Sequence, residues 1–148
     1  MNPWIRLVLA VSLDGRICPP LGGASNIGEE GDREVLEESL AWANATLMGG
    51  NTLKAHGNTC LIRNPDLIKQ RLQNNFSEQP ISIIVSRFQN HSIDYSFFQQ
   101  PIKRWLLSPS DSYRKNITNS KIINAFEYQL ALRTHWSKTL RELYKKGL

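Results

Sequence analysis

The chain has 148 residues, of which 41% are hydrophobic and 21% charged, and its formal net charge is +5. This composition is typical of one globular domain over residues 1–148 and excludes a fibrous, low-complexity or short-repeat protein. The mild positive charge fits an anionic partner, such as a phosphorylated metabolite, a dinucleotide or nucleic acid. It fits a solvated basic surface equally well, because the charge is scattered along the sequence.

The ends and the cysteines of the chain bear on its compartment. No basic stretch followed by a long apolar core opens the sequence, and no apolar run is long enough to cross a bilayer. Cys18 and Cys60 have no metal-ligand spacing with the three histidines, so we predict no metal site. Two cysteines in such a chain are typical of free thiols, although the sequence alone leaves a disulfide open. We expect a cytoplasmic protein that does not associate with membranes.

The first predicted element is a strand from Ile5 to Val11, a nearly continuous apolar run typical of a sheet covered on both faces. Asp14-Gly15 directly after it predicts a tight turn. Cys18 to Gly28 is rich in glycine and proline and is predicted to be a loop.

Helices and strands then alternate along the chain. Leu36, Leu40 and Ala43 share one face of a predicted helix that acidic residues precede. The further predicted elements are a strand at Ala45–Met48, helices at Asn51–Ala55 and Asn64–Asn75, strands at Ile81–Val85, Arg104–Leu107 and Ala125–Leu132, polar turns over Arg87–Gln100, and a last helix capped by Thr134. This alternation predicts an α/β layered domain with a mostly parallel sheet.

The segment Gly49-Gly50-Asn51-Thr52 lies between a predicted strand and a predicted helix. Glycines let a ligand approach the backbone, and the start of a helix offers unpaired N–H groups to an anion. A tight turn with a threonine cap explains the same residues. The segment is neither a Walker loop nor a Gly-x-Gly-x-x-Gly dinucleotide fingerprint.

Three further residues have both a functional and a structural interpretation. Ser86 ends a buried strand, where small residues line ligand crevices, but serine also opens turns. The Arg63 guanidinium suits a ribose phosphate, or it is an exposed loop residue. Asp14 either orients a substrate ring or fixes its own turn.

The amino-acid sequence of these segments resembles that of one protein family. Leu9-Ala10-Val11-Ser12-Leu13-Asp14-Gly15-Arg16-Ile17, then Met48-Gly49-Gly50-Asn51-Thr52, then Arg63 is similar to the pyrimidine reductases of riboflavin biosynthesis. The resemblance implies the three-layer fold of dihydrofolate reductase and NADPH as cofactor. It also implies hydride transfer to the ribosyl group of a phosphoribosylamino-pyrimidine, in a homodimer.

The same resemblance assigns site residues. It implies cofactor contacts at Ala10, Ile27, Gly49, Gly50, Thr52, His56 and Ser86, substrate contacts at Ser25, Cys60 and Arg63, and a place for Asp14 in the catalytic cleft. Three positions depart from the family pattern, because Ile27 replaces an aromatic residue, His56 an aspartate and Leu40 a substrate-binding arginine. These departures are typical of an altered substrate, weaker catalysis or a divergent subfamily.

Two other hypotheses remain. The family continues with a strand ending in Glu-Gly-Gly, which this sequence lacks, so we expect a sheet whose C-terminal strands are missing. The chain would then be a truncated, non-catalytic remnant that acts as a binding or dimerisation module. A nucleic-acid-binding domain would instead require clustered Lys and Arg interleaved with aromatic residues, and the sequence shows no such cluster. The zinc deaminase motifs that often accompany this reductase are absent from the sequence.

Overall fold

The computed structural model describes residues 1–24, 30–87, 91–109, 120–132 and 135–148. Four strands form one parallel sheet in the order β1-β2-β3-β4, which are Ala45–Gly49, Ile81–Val85, Arg104–Ser108 and Tyr128–Ala131. The helices are α1 (Glu30–Trp42), α2 (Gly50–His56), α3 (Pro65–Gln73), α4 (Ser120–Asn124) and α5 (Trp136–Lys145), with a 3-10 helix at Ser96–Gln99. The predicted α/β class and parallel sheet are confirmed.

The sheet carries an apolar cluster on each face, because alternate residues of a strand point to opposite sides. Ile83 and Leu107 pack with Leu143 of α5 on one face. The other face is covered by a larger set, which comprises Leu53, Ile84, Phe97, Ile102, Leu106, Ile122 and Phe126. Helical elements therefore cover both faces, which gives the expected three layers.

Helix α3 is anchored to α1 through a buried arginine. The sequence predicts α3 as a surface helix that includes Arg71, but this side chain is only 1% exposed. Its guanidinium donates to the carbonyls of Leu40, Ala41 and Ala43 at 3.1, 2.9 and 2.7 Å, at the end of α1, where a helix does not supply all its carbonyls with donors. Arg71 therefore caps α1 from a neighbouring helix, a role that periodicity within α3 does not reveal.

The remaining predicted elements match within a few residues, with two omissions. Asn64 caps α3 through a 2.9 Å bond from the Asp66 N–H, and Pro65 opens the helix. Thr134, the predicted cap of α5, lies outside the described residues. The sequence missed α4 and the 3-10 helix, whose Phe97 is buried within a segment predicted as polar turns.

The N-terminal segment corrects the first prediction. Residues 1–24 contain no helix and no strand, so the predicted buried strand Ile5–Val11 is wrong. Its apolar side chains are exposed, with Leu7 at 80% and Leu9 at 54%. A strand needs a hydrogen-bonded neighbour, and the described sheet provides none for this segment. The turn after it is confirmed, since the Gly15 N–H donates to the Ser12 carbonyl at 2.9 Å and Gly15 has a φ of 80°.

Candidate functional site

The carboxyl ends of β1 and β2 bring two predicted site segments together. Gly49 pairs in register with Val85, so the next residues, Gly50 and Ser86, are neighbours. A Cβ on Gly50 would lie 2.3 Å from Ser86 Oγ and 2.6 Å from Ser86 Cβ. Only glycine fits this approach, because real Cβ atoms are not found at such distances. The structure therefore joins Gly49, Gly50 and Ser86 in one cluster at the sheet edge.

Thr52 and Gly49 form the open side of this cluster. Thr52 is exposed in α2, and among the described residues beyond the chain neighbours of Gly49 its Oγ1 is the nearest atom to a Cβ placed on Gly49, at 4.0 Å. A ligand can therefore approach the Gly49 backbone, with the Thr52 hydroxyl beside it. His56 lies exposed four residues after Thr52, on the same side of α2.

His91 also belongs to this cluster, and the sequence did not predict it. Its Nε2 lies 3.0 Å from the carbonyl oxygen of Gly50, and its ring meets Tyr95 edge to face at 6.2 Å. A lone histidine in a polar segment gives no pattern that could have identified it. Only the close approach of β1 and β2 in the folded structure identifies His91 as part of this cluster.

Arg63 belongs to a second cluster, built around the buried carboxylate of Glu37. The backbone N–H groups of Arg63 and Asn64 each donate to Glu37 Oε2 at 2.8 Å. Arg33 Nε lies 2.9 Å from Glu37 Oε1. Glu37 therefore fixes the loop at Arg63 and Asn64, just before α3, against α1. The sequence missed Glu37, since an acidic residue on an amphipathic helix is usually solvated.

The electrostatics of this second cluster follow from its contacts. Burial by itself would raise the pKa of Glu37, but the hydrogen bonds from Asn64, Arg33 and Arg63 hold that pKa below its usual value. Burial raises the pKa of the Cys60 thiol, and Glu37 raises it further, while Arg33 and Arg63 act against this increase. Cys60, a predicted substrate contact, thus lies within electrostatic reach of Arg63.

The N-terminal site predictions are placed differently. Asp14 accepts a hydrogen bond from Ser12 Oγ and pairs with Arg16 Nε at 2.9 Å, so its contacts lie within its own turn. Ala10 is exposed in the segment that forms no strand. Ser25 and Ile27 lie outside the described residues. The predicted residues therefore fall into the β1–β2 cluster, the Glu37 cluster and this N-terminal segment.

Four further properties concern the described part of the chain. A cleft of about 440 Å³ lies between α1 and α3 and contains none of the predicted site residues; its lining is Glu38, Ala41, Trp42, Leu67, Gln70, Arg71, Asn74 and Phe76. The described residues contain no group of His, Cys, Asp and Glu that could hold a metal ion. None of the described helices has the length and apolar character needed to span a bilayer. Cys18 and Cys60 are free thiols, as predicted.

Comparison with known proteins identifies the family. The RibD C-terminal domain family matches residues 3–148. The chain belongs to this family. A bifunctional diaminohydroxyphosphoribosylaminopyrimidine deaminase and 5-amino-6-(5-phosphoribosylamino)uracil reductase from Thermotoga maritima has a similar structure, with a TM-score of 0.67 and 19% identity over 93% of this chain. A pyrimidine reductase-like protein from Corynebacterium diphtheriae gives a TM-score of 0.72 and 16% identity, also over 93% of this chain.

These structural likenesses establish the fold, which is that of the reductase domain. The chain spans 34% of the length of the Thermotoga protein and 59% of the Corynebacterium protein. A search of curated proteins found no match.

Proposed function

We propose that this chain is an NADPH-dependent reductase of a phosphoribosylamino-pyrimidine in riboflavin biosynthesis. The observation that carries the proposal is the convergence of Gly49, Gly50, Thr52 and Ser86 at the carboxyl ends of β1 and β2. Ligands of open α/β sheets bind at this edge. Family membership supports the same reaction, since the two similar structures carry reductase or reductase-like descriptions.

The β1–β2 cluster has the groups that a dinucleotide needs. The backbone at Gly49 is open, the Thr52 hydroxyl is exposed beside it, and Gly50 allows Ser86 to sit against the turn. Backbone N–H groups and hydroxyls of this kind hold phosphate oxygens. NADPH supplies the hydride for the ribosyl group when bound, and the chain contributes alignment and electrostatics. His56 is exposed at the end of α2, and we propose it as a further contact to the same cofactor.

The Glu37 cluster supplies the substrate side of the proposal. Arg63 is exposed on a turn that the Glu37 carboxylate fixes at two backbone N–H groups. We propose that the exposed guanidinium of Arg63, whose backbone is fixed in this way, binds the phosphate of the substrate. Cys60, three residues earlier, borders the same region, and we keep it as a substrate contact. For Asp14, the bonds to Ser12 and Arg16 favour the turn role over a part in catalysis.

Titration with NADPH tests the proposal directly. Four tryptophans report binding through fluorescence quenching and through energy transfer to the nicotinamide. We expect saturable micromolar binding, weakened about tenfold by Thr52→Val, since a hydrogen bond to a charged group is lost. Ser137→Ala on the exposed side of α5 is the control and should leave binding unchanged. Absence of binding up to millimolar NADPH would refute the reductase proposal.

One observation favours a second candidate function, a non-catalytic binding or dimerisation module. Apolar residues are exposed along much of the N-terminal segment, namely Trp4, Ile5, Leu7, Val8, Leu9, Val11 and Leu13. Contiguous exposed apolar side chains usually mark an interaction surface. We propose a homodimer in either case, and light scattering coupled to size exclusion would measure it. A dimer without NADPH binding would favour the module, whereas a monomer would refute the homodimer.

The cellular setting follows from the same proposal. Both cysteines are free, which suits a reducing compartment, and the proposed cofactor and phosphorylated substrate are metabolites of the cytoplasm. We therefore propose a cytoplasmic location. We propose that the scattered positive charge attracts anionic small molecules and does not form a nucleic-acid-binding surface.

A further inference from the structure

One short segment of the chain contacts both ends of helix α2. At the start of the helix, His91 Nε2 lies 3.0 Å from the carbonyl oxygen of Gly50. Just after the helix, the carbonyl of Gly57 accepts a hydrogen bond from the Phe97 N–H at 2.9 Å. Residues 91–97 therefore fix the position of α2 at its two ends.

Apolar contacts support the same arrangement. Leu53, in the middle of α2, is fully buried in one cluster with Phe97, and Ile93 and Tyr95 pack against this cluster. The Tyr95 ring also meets the His91 ring edge to face, with 6.2 Å between the centroids. The imidazole is thus carried by a packed segment and is supported where it meets the start of the helix.

The hydrogen bond at Gly50 has only one possible direction. A carbonyl oxygen accepts and cannot donate, so His91 Nε2 carries the proton. A Cβ placed on Gly50 would lie 3.3 Å from His91 Nε2 and closer still to the Ser86 side chain. His91 and Ser86 therefore both lie against the backbone of this one glycine.

The bond from His91 orients a whole peptide unit. None of the described peptide bonds is cis, and in a trans peptide the C=O and the N–H of the next residue point in opposite directions. Because His91 holds the Gly50 carbonyl, it also sets the direction of the Asn51 N–H. This peptide unit lies between the open backbone of Gly49 and the exposed hydroxyl of Thr52.

We propose that His91 is a positioning residue of the β1–β2 cluster, which holds the Gly50–Asn51 peptide so that its N–H is presented to a phosphate bound beside Thr52. The inference rests on the proposed function for the identity of that ligand, NADPH, whereas the orientation of the peptide is a property of the chain itself. A donor that is already oriented binds more tightly, because less conformational freedom is lost when the ligand arrives.

Two substitutions of His91 separate its hydrogen bond from its packing. His91→Leu removes the donor but keeps a side chain that can pack, and NADPH affinity should fall about fivefold, the value of one hydrogen bond. The amide nitrogen of His91→Gln is as many bonds from Cα as the histidine Nε2, so a donor remains and affinity should stay within about twofold.

His135→Leu is the matched control. His135 is exposed at the start of α5, which packs on the opposite face of the sheet from α2, and its replacement should leave NADPH affinity unchanged. Circular dichroism and urea denaturation establish that each variant is folded.

Nuclear magnetic resonance adds a measurement that does not depend on NADPH. Long-range proton–nitrogen correlation spectra should show the His91 ring protonated at Nε2. The amide signal of Asn51 should shift in His91→Leu and return towards its original position in His91→Gln. A neutral ring protonated at Nδ1 would overturn the inference, and so would an Asn51 signal that His91→Leu leaves unchanged.

The NADPH titrations separate this inference from the proposed function. If His91→Leu lowers stability but binds NADPH as tightly as the unaltered chain, His91 has a structural role only and the inference is wrong. Equal weakening by His91→Gln and His91→Leu would also refute it, because the donor would not matter. Absence of NADPH binding by the unaltered chain would refute the reductase proposal, while the ring protonation and the Asn51 signal would still decide whether His91 orients the peptide.

Discussion

The N-terminal segment and the parallel sheet contain similar apolar residues in opposite environments. Leu9 in the segment is 54% exposed, whereas Leu106 in β3 is 2% exposed. Both lie in runs with strand-forming composition, but β3 has a hydrogen-bonded strand on each side. The difference shows that an apolar run forms a strand only where its backbone can hydrogen-bond to a neighbouring strand. Matched residues in the two regions allow this comparison to be tested.

The largest difference in unfolding free energy is expected between substitutions of Leu106 and Leu9. Leu106→Ala removes a buried side chain between the sheet and the helical elements on one of its faces, and should lower the free energy of unfolding by about 3 kcal/mol. Leu9→Ala should change it by less than about 0.5 kcal/mol, because the side chain is already exposed. Urea denaturation followed by tryptophan fluorescence measures both. Similar effects of the two substitutions would mean that the N-terminal segment packs against the protein in solution.

The next contrast is between two arginines at the end of α1. Arg71 donates four hydrogen bonds to backbone carbonyls, whereas Arg6 stacks over Trp42 with 4.4 Å between its guanidinium carbon and the ring centroid. Arg71→Met should cost about 2 kcal/mol, since buried carbonyls lose their donor. Arg6→Met should cost about 0.5 kcal/mol, the value of an exposed cation–π contact. If urea denaturation gave equal losses of unfolding free energy for the two substitutions, Arg71 would not act as a cap of α1.

A buried and an exposed carboxylate should also differ in their contribution to stability. Glu37–Arg33 and Asp14–Arg16 are ion pairs of the same length, 2.9 Å, but only Glu37 is buried. Glu37→Gln should lower the free energy of unfolding by about 1 kcal/mol near neutral pH, because charge-assisted bonds to two backbone N–H groups weaken. Asp14→Asn should leave stability unchanged, as is usual for exposed pairs.

The pH dependence of Glu37 has a defined sign. Its pKa in the folded protein is lowered, so it stabilises the fold above its unfolded pKa, and this contribution is lost as pH falls through the folded value. The stability difference between the unaltered chain and Glu37→Gln should therefore shrink on acidification from about pH 7 to about pH 3. A difference that stays constant over this range would contradict the lowered pKa. Denaturation midpoints at several pH values provide the measurement.

The same contrast explains what the sequence could predict. Periodicity and turn residues located the four strands and most helices, because these depend on neighbours along the chain. Gly49, Gly50, Thr52 and Ser86 were found because they follow strand ends that parallel pairing brings together. Arg71, Glu37 and His91 were missed, since their roles come from contacts with residues distant in sequence. The prediction of a strand at Ile5–Val11 failed for the opposite reason, because its composition is that of a strand but no strand of the described sheet pairs with it.

The smallest contrast is between the two free thiols. Both side chains are exposed, but partial desolvation raises the pKa of Cys60, so less of it is thiolate at mildly alkaline pH and it should react with a disulfide reagent a few-fold more slowly than Cys18. Cys18→Ser and Cys60→Ser leave one thiol each and allow the two rates to be measured separately. Arg33→Gln should slow Cys60 further, and Glu37→Gln should speed it, since these groups shift the thiol pKa in opposite directions. A Cys60 rate that neither substitution changes would show that the charges of Arg33 and Glu37 do not act on this thiol.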